Sequence, residues 1–146
     1  MPKSAKVLVV ANRTAASDEL LQALQDRAAK GPASFTLVAP ATPRGRTWIL
    51  GPDAGQLEEA QEEAQENMQA AVKRLRAAGL EVEGRIGDPD PVAAAQDAVN
   101  EEDFDEVVVS TLPSHMSKWL GLDVPHRVER ATGLPFTHVS ASDAPA

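Results

Sequence analysis

Residues 6–11, Lys-Val-Leu-Val-Val-Ala, form a short apolar run that does not alternate with polar positions. A strand that buries one face alternates; a strand without alternation is buried on both faces and needs a layer above and below its sheet. That requirement constrains the chain more than any other feature. Strand-like segments recur over 34–39, 80–86, 104–110 and 135–139, the last being Pro-Phe-Thr-His-Val.

Helical patterns fill the intervals. Ser17 is placed to cap a helix whose first turn carries Asp18 and Glu19, with Leu21, Leu24 and Ala28 on one face and Gly31-Pro32 as its stop. From Gln56 to Ala78 there is no Gly or Pro, and Leu57, Ala60, Ala64, Met68, Ala71, Leu75 and Ala78 repeat at steps of three and four. Glu58, Glu59, Glu62, Glu63 and Glu66 crowd its first half, and Lys73, Arg74 and Arg76 its end, in the sense the helix dipole favours. Asp90 and Pro91 start a third helix with Val92, Ala95 and Val99 inward, and Val124, Val128 and Ala131 mark a fourth that ends at Gly133.

Five strands alternating with four helices call for right-handed crossovers and a mainly parallel sheet covered on both faces. The expected fold is therefore an α/β three-layer sandwich, a five-stranded sheet flanked by four helices. Its 146 residues fit one domain over 1–146, with 140–146 as a small polar tail.

Composition narrows the function. A net charge of −8 repels phosphate backbones, and aromatics at 3% leave few surfaces for stacking bases, so no nucleic-acid partner is expected. The absence of cysteine excludes disulfides, thiolate metal sites and a thiol nucleophile. The run after Lys6 is too short for a membrane span or signal core, so a cytoplasmic location without membrane contact is expected. His115, His126 and His138 are too dispersed for a helical zinc pair, and no metal site is expected. No phosphate loop, dinucleotide turn or nucleophile elbow is present.

Ligands of such sheets bind beyond the carboxyl ends of the strands, where strand order reverses. The segment 110–123 is the most unusual loop there, with the hydroxyls of Ser110, Thr111, Ser114 and Ser117 together with Lys118 and His115. Hydroxyls, Lys118 and Arg127 are the groups that could hold a small anion, and Asn12, Arg13 and Gly87 line the opposite side. A capped connection that merely packs Trp119 is the competing account. The loop 40–53, with Arg44, Arg46 and Trp48, either closes over a site or joins an interface.

The order of elements resembles the universal stress protein family over nearly the whole chain, from Val7 to Val139. Gly87-Asp88-Pro89 is similar to that family's turn after the third strand, and Arg127-Val128 with Gly133-Leu134-Pro135 to its last helix and strand. The resemblance implies an adenine nucleotide alpha hydrolase-like fold, a noncatalytic stress-linked binding or signalling role, and a homodimer formed through the last strand. It also implies ATP or another adenine nucleotide as ligand. ATP-binding members carry Gly, two residues, Gly, nine residues, then Gly-Ser or Gly-Thr. Here Ser110, Pro113 and Asp123-Val124 fall at those positions in one register, and Leu122-Asp123 at the last pair in the other, so the glycines that let triphosphate approach are absent. The acid that usually follows the first strand is matched by Asn12.

The blocks Ser-Thr-Leu-Pro, Ser-Lys-Trp-Leu and Asp-Val-Pro-His-Arg-Val mark a divergent type. Two other classes stay open: an ATP-using enzyme of the wider hydrolase-like class, and an interaction module working through the acidic helix from Leu57 to Leu75.

Overall fold

The computed structural model describes residues 4–41, 54–112 and 123–141. Its elements are β1 (Ala5–Val10), α1 (Asp18–Ala29), β2 (Ala33–Pro40), α2 (Ala54–Ala77), β3 (Glu81–Gly87), α3 (Pro91–Glu101), β4 (Glu106–Thr111), α4 (Val124–Thr132) and β5 (Phe136–Ser140). The strands form one sheet in the order β3-β2-β1-β4-β5, and every neighbouring pair is parallel. This is the expected three-layer arrangement.

The apolar run in β1 explains the layering. Val7 and Val9 enter one core with Phe35, Leu37, Leu20 and Leu24 of α1, and Ala71 and Leu75 of α2. Leu8 and Val10 enter the other with Val107, Val109, Ala94, Ala95 and Ala98 of α3, and Val124 and Val128 of α4. All four β1 side chains are fully buried, each contributing about 1.5–3 kcal/mol relative to exposure.

Helix starts follow the sequence closely. Ser17 Oγ accepts from Leu20 N at 3.2 Å, and Asp90 Oδ1 accepts from Val92 N at 2.9 Å with Pro91 at the first position. Inward faces differ in detail. Leu20 rather than Leu21 is fully buried in α1, and on the inside of α3 the expected Ala95 is joined by Ala94 and Ala98, with Val92 and Val99 only partly buried against the same core. Alanines bring α3 close to the sheet and to α4, leaving the valines at its margins.

The third and fifth strands each lie one residue later than expected. Ser140 ends β5, and buried Ala141 donates its N–H to Thr111 O at 2.8 Å, so the sheet extends into the segment expected as a tail. At the opposite, amino edge, Lys6 Nζ meets Glu102 at 3.0 Å and Arg27 Nε meets Glu106 at 2.7 Å. The Lys6 hydrogen bond holds the Glu102 carboxyl below its ordinary pKa. Among the described residues, no helix is long and apolar enough to cross a membrane.

Candidate functional site

Strand order reverses between β1 and β4: the chain builds leftward to β2 and β3, then returns to add β4 and β5. The first two crossover helices cover one face and the last two the other, so the helices that follow β1 and β4 lie on opposite faces of the sheet, the arrangement in which open α/β sheets place a ligand crevice at the carboxyl edge. Its floor consists of Asn12, Thr14, Ser110 and Thr111, which are 8%, 2%, 1% and 2% exposed.

These buried polar groups are wired together. Thr14 Oγ1 and Ser110 Oγ lie 2.6 Å apart and bridge the reversal. Asn12 Nδ2 donates to Pro40 O at 2.8 Å, while Asn12 Oδ1 accepts from Asn67 Nδ2 of α2 at 2.8 Å. A tight turn follows, with Ala15 N donating to Asn12 O and Ser17 N to Thr14 O. The carboxamide of Asn12 therefore has a fixed orientation.

Thr111 Oγ1 donates to Leu112 O at 3.0 Å and lies 2.8 Å from His138 Nε2. The Thr111 hydroxyl is thus within hydrogen-bond reach of both the Leu112 carbonyl and the imidazole. Burial first, and then the neighbouring His126, push the His138 pKa below its ordinary value.

The other expected site residues scatter. Arg13 is half-buried in the turn beside Asn12. Gly87 ends β3, two strands from β1 and so about 10 Å from it. Its lack of a side chain has a packing reason: a Cβ there would meet Val38 Cγ1 at 2.7 Å and Ala94 Cβ at 2.8 Å. Arg127 is exposed on α4. Ser114, Ser117 and Lys118 lie outside the described residues, as do Arg44, Arg46 and Trp48.

Three contributors were not singled out from the sequence. Thr14 and His138 carry no motif. Asn67 did leave a trace: it stands three residues after Ala64 and four before Ala71, placing an amide on the inward stripe of α2. Ala64 packs with Ala39 and Ala41 at the carboxyl edge. The preceding residues 54–63 therefore rise about 15 Å past that level, and Glu58, Glu59 and Glu62 are exposed there. Among the described residues, no group of three or more acids and histidines could hold a metal ion.

An α/β sandwich with its polar crevice at this reversal defines a class of small ligand-binding folds. Residues 4–139 match the model of the universal stress protein family, and the chain belongs to that family. A comparison with curated protein sequences finds no match. Among solved structures, a universal stress protein family member from Burkholderia pseudomallei is 19% identical with a TM-score of 0.68, covering 96% of this chain and 100% of that one. A universal stress protein in complex with cAMP is 22% identical (TM-score 0.62; 94% and 98% covered). The universal stress protein from Archaeoglobus fulgidus in complex with dAMP is 20% identical (TM-score 0.61; 96% and 100% covered). At these identities the likeness is one of fold.

Proposed function

We propose that this chain is a noncatalytic universal stress protein that binds a small nucleotide-like ligand, an adenine nucleotide, in the crevice between β1 and β4. The observation that carries the reading is the buried polar floor of Asn12, Thr14, Ser110 and Thr111 at the reversal of strand order. Fold relatives bound to cAMP and dAMP support the ligand class. Asn12, Arg13 and the Gly87 turn take the base and ribose side; Ser110, Thr111, Ser114, Ser117, Lys118 and Arg127 take the phosphate side.

The functional unit in this reading is a cytoplasmic homodimer. β5 is an edge strand, with Thr137 and Ser140 exposed, and such an edge is protected by pairing with a second copy.

Native mass spectrometry of freshly purified protein, followed by calorimetric titration with AMP, tests both parts. A dimer that carries or takes up nucleotide, and loses it in Asn12→Leu, is the expected result. A monomer at micromolar concentration counts against the edge pairing, and a protein that neither retains nor binds nucleotide counts against the ligand.

A further inference from the structure

Among the described residues the sheet has two open edges, β5 and, on the far side, β3. A groove follows the β3 edge beside the flank of α2, lined by half-buried Met68, Val72 and Gly84 and by exposed Gln69, Lys73 and Arg76. Gly84 marks where helix and strand approach most closely, since a Cβ there would meet Met68 Sδ and Val72 Cγ2. Alternate backbone groups of such an edge have no strand partner.

The stripe of α2 that borders this edge has a particular charge order. Glu62, Glu66, Gln69, Lys73 and Arg76 follow one another at steps of four and three, so they share a face, and all are exposed. The helix dipole favours acids early and bases late on any side of a helix; here both lie on the side next to the open strand. Arg74, on another side, is held by Asp18 and Ala16 O. Glu62, Glu66 and Lys73 form no ion pair among the described residues.

That order is its own complement. When two copies of the stripe run antiparallel about Gln69, Glu62 faces Arg76 and Glu66 faces Lys73, twice over. The strand has the same property: antiparallel pairing of two β3 edges about Gly84 sets Glu83 opposite Arg85 in both directions. One axis serves both, because Gly84 lies against Met68 and Val72, the turn of α2 that holds Gln69. α2 packs on β2 as well as β3, so its axis lies inward of the edge. Joining the edges then sets the two helices about 10 Å apart, an ordinary helix-packing distance. The stripe is neutral as a whole, so the net charge of −8 is not concentrated at this contact.

We propose that the α2 flank and the β3 edge form a self-complementary, two-fold interface with a second copy of this chain, on the side of the sheet opposite β5. The contact is isologous, each copy giving the same patch. It is independent of nucleotide binding, and together with pairing at β5 it builds assemblies larger than a dimer.

Sedimentation velocity over about a hundredfold range of protein concentration, at low and at high salt, tests it. The expected result is a concentration-dependent step beyond the β5-paired species, or from the monomer if β5 does not pair, that weakens as salt is raised. Lys73→Glu with Arg76→Glu makes the stripe wholly acidic, and Glu62→Lys with Glu66→Lys makes it wholly basic. Each double variant alone is expected to associate at least about tenfold more weakly at this step. An equimolar mixture of the two sets acid against base across the axis, and regains the step to within about threefold of the unmodified protein. Recovery on mixing cannot come from a misfolded variant. No step in the unmodified protein, a step indifferent to both reversals, or a mixture no better than its components overturns the interface. Neither variant alters a residue of β5 or of the polar floor, so pairing at β5 and nucleotide binding stand or fall separately.

Discussion

Thr14 Oγ1 and Ser110 Oγ lie 2.6 Å apart, both fully enclosed, and so join the loop leaving β1 to the end of β4 across the reversal of strand order. Parallel strands hydrogen-bond through their backbones only as far as the ladder runs, which ends for this pair at Val10 and Val109. One step beyond, the two hydroxyls continue the connection in side chains. The floor of the crevice is thus held at a fixed width by a polar contact inside an apolar surround.

Removing one hydroxyl strips a buried polar group of that partner, which costs about 1–3 kcal/mol. Ser110→Ala and Thr14→Val are each expected to lower the unfolding free energy, measured by urea denaturation, by that amount. The double variant should cost less than the sum, because neither hydroxyl is then left behind. Strictly additive losses would show that the two groups do not support one another.

Asn67 is the only link seen between the middle of α2 and the Asn12 carboxamide among the described residues. Asn67→Ala leaves Asn12 Oδ1 without its donor beneath a surface only 8% exposed. A loss of about 1–2 kcal/mol is expected, with nucleotide affinity falling because Asn12 is no longer oriented. Unchanged affinity alongside reduced stability would assign Asn67 to packing alone.

The glycine at 87 drew attention as part of a turn, and the structure gives it a steric reason. A methyl group would press on Val38 Cγ1 and Ala94 Cβ, one on the neighbouring strand and the other on α3. Neither can swing aside easily, since Val38 is 1% and Ala94 2% exposed. Gly87→Ala is expected to cost about 1–3 kcal/mol. At Gly84 the obstructing atoms are the flexible end of Met68 and a methyl of Val72, so Gly84→Ala is expected to cost less. Chemical denaturation of both variants compares them directly; a reversed order would refute the packing account.

What could be read in the sequence and what could not divides along a physical line. The double-sided burial of β1, the caps at Ser17 and Asp90 and the stop at Gly133 are local effects, visible in residues a few positions apart. Strand order was not local, although the alternation of elements restricted it. The site was legible in place but only partly in membership: Asn12, Ser110 and Thr111 were expected at the carboxyl edge and lie there. Thr14 meets Ser110 across 96 positions, and Asn67 meets Asn12 across 55. No spacing rule reaches that far. Gly87 was expected beside a ligand from its turn, and the packing of Val38 and Ala94 against it is a further reason for a glycine there.

His138 offers a test of the polar floor that needs no ligand. Its Nε2 lies 2.8 Å from Thr111 Oγ1, and the nearby His126 is itself paired to Asp123; Arg130 approaches the same carboxylate. Burial and the His126 charge lower its pKa from the ordinary 6.5, so the folded protein prefers the neutral ring. As pH falls, the unfolded chain takes up the proton first. The stability contributed by the neutral ring is complete above about pH 6.5, declines below it, and levels off once the folded-state pKa is passed. His138→Gln keeps a hydrogen-bonding group for Thr111 and does not titrate. Between pH 7.5 and 5, the thermal midpoint of the unmodified protein is expected to fall further than that of His138→Gln. Since the carboxylates titrate alike in both proteins, the difference between the two profiles isolates this ring, and parallel profiles would show that His138 carries no pH-dependent share of the stability.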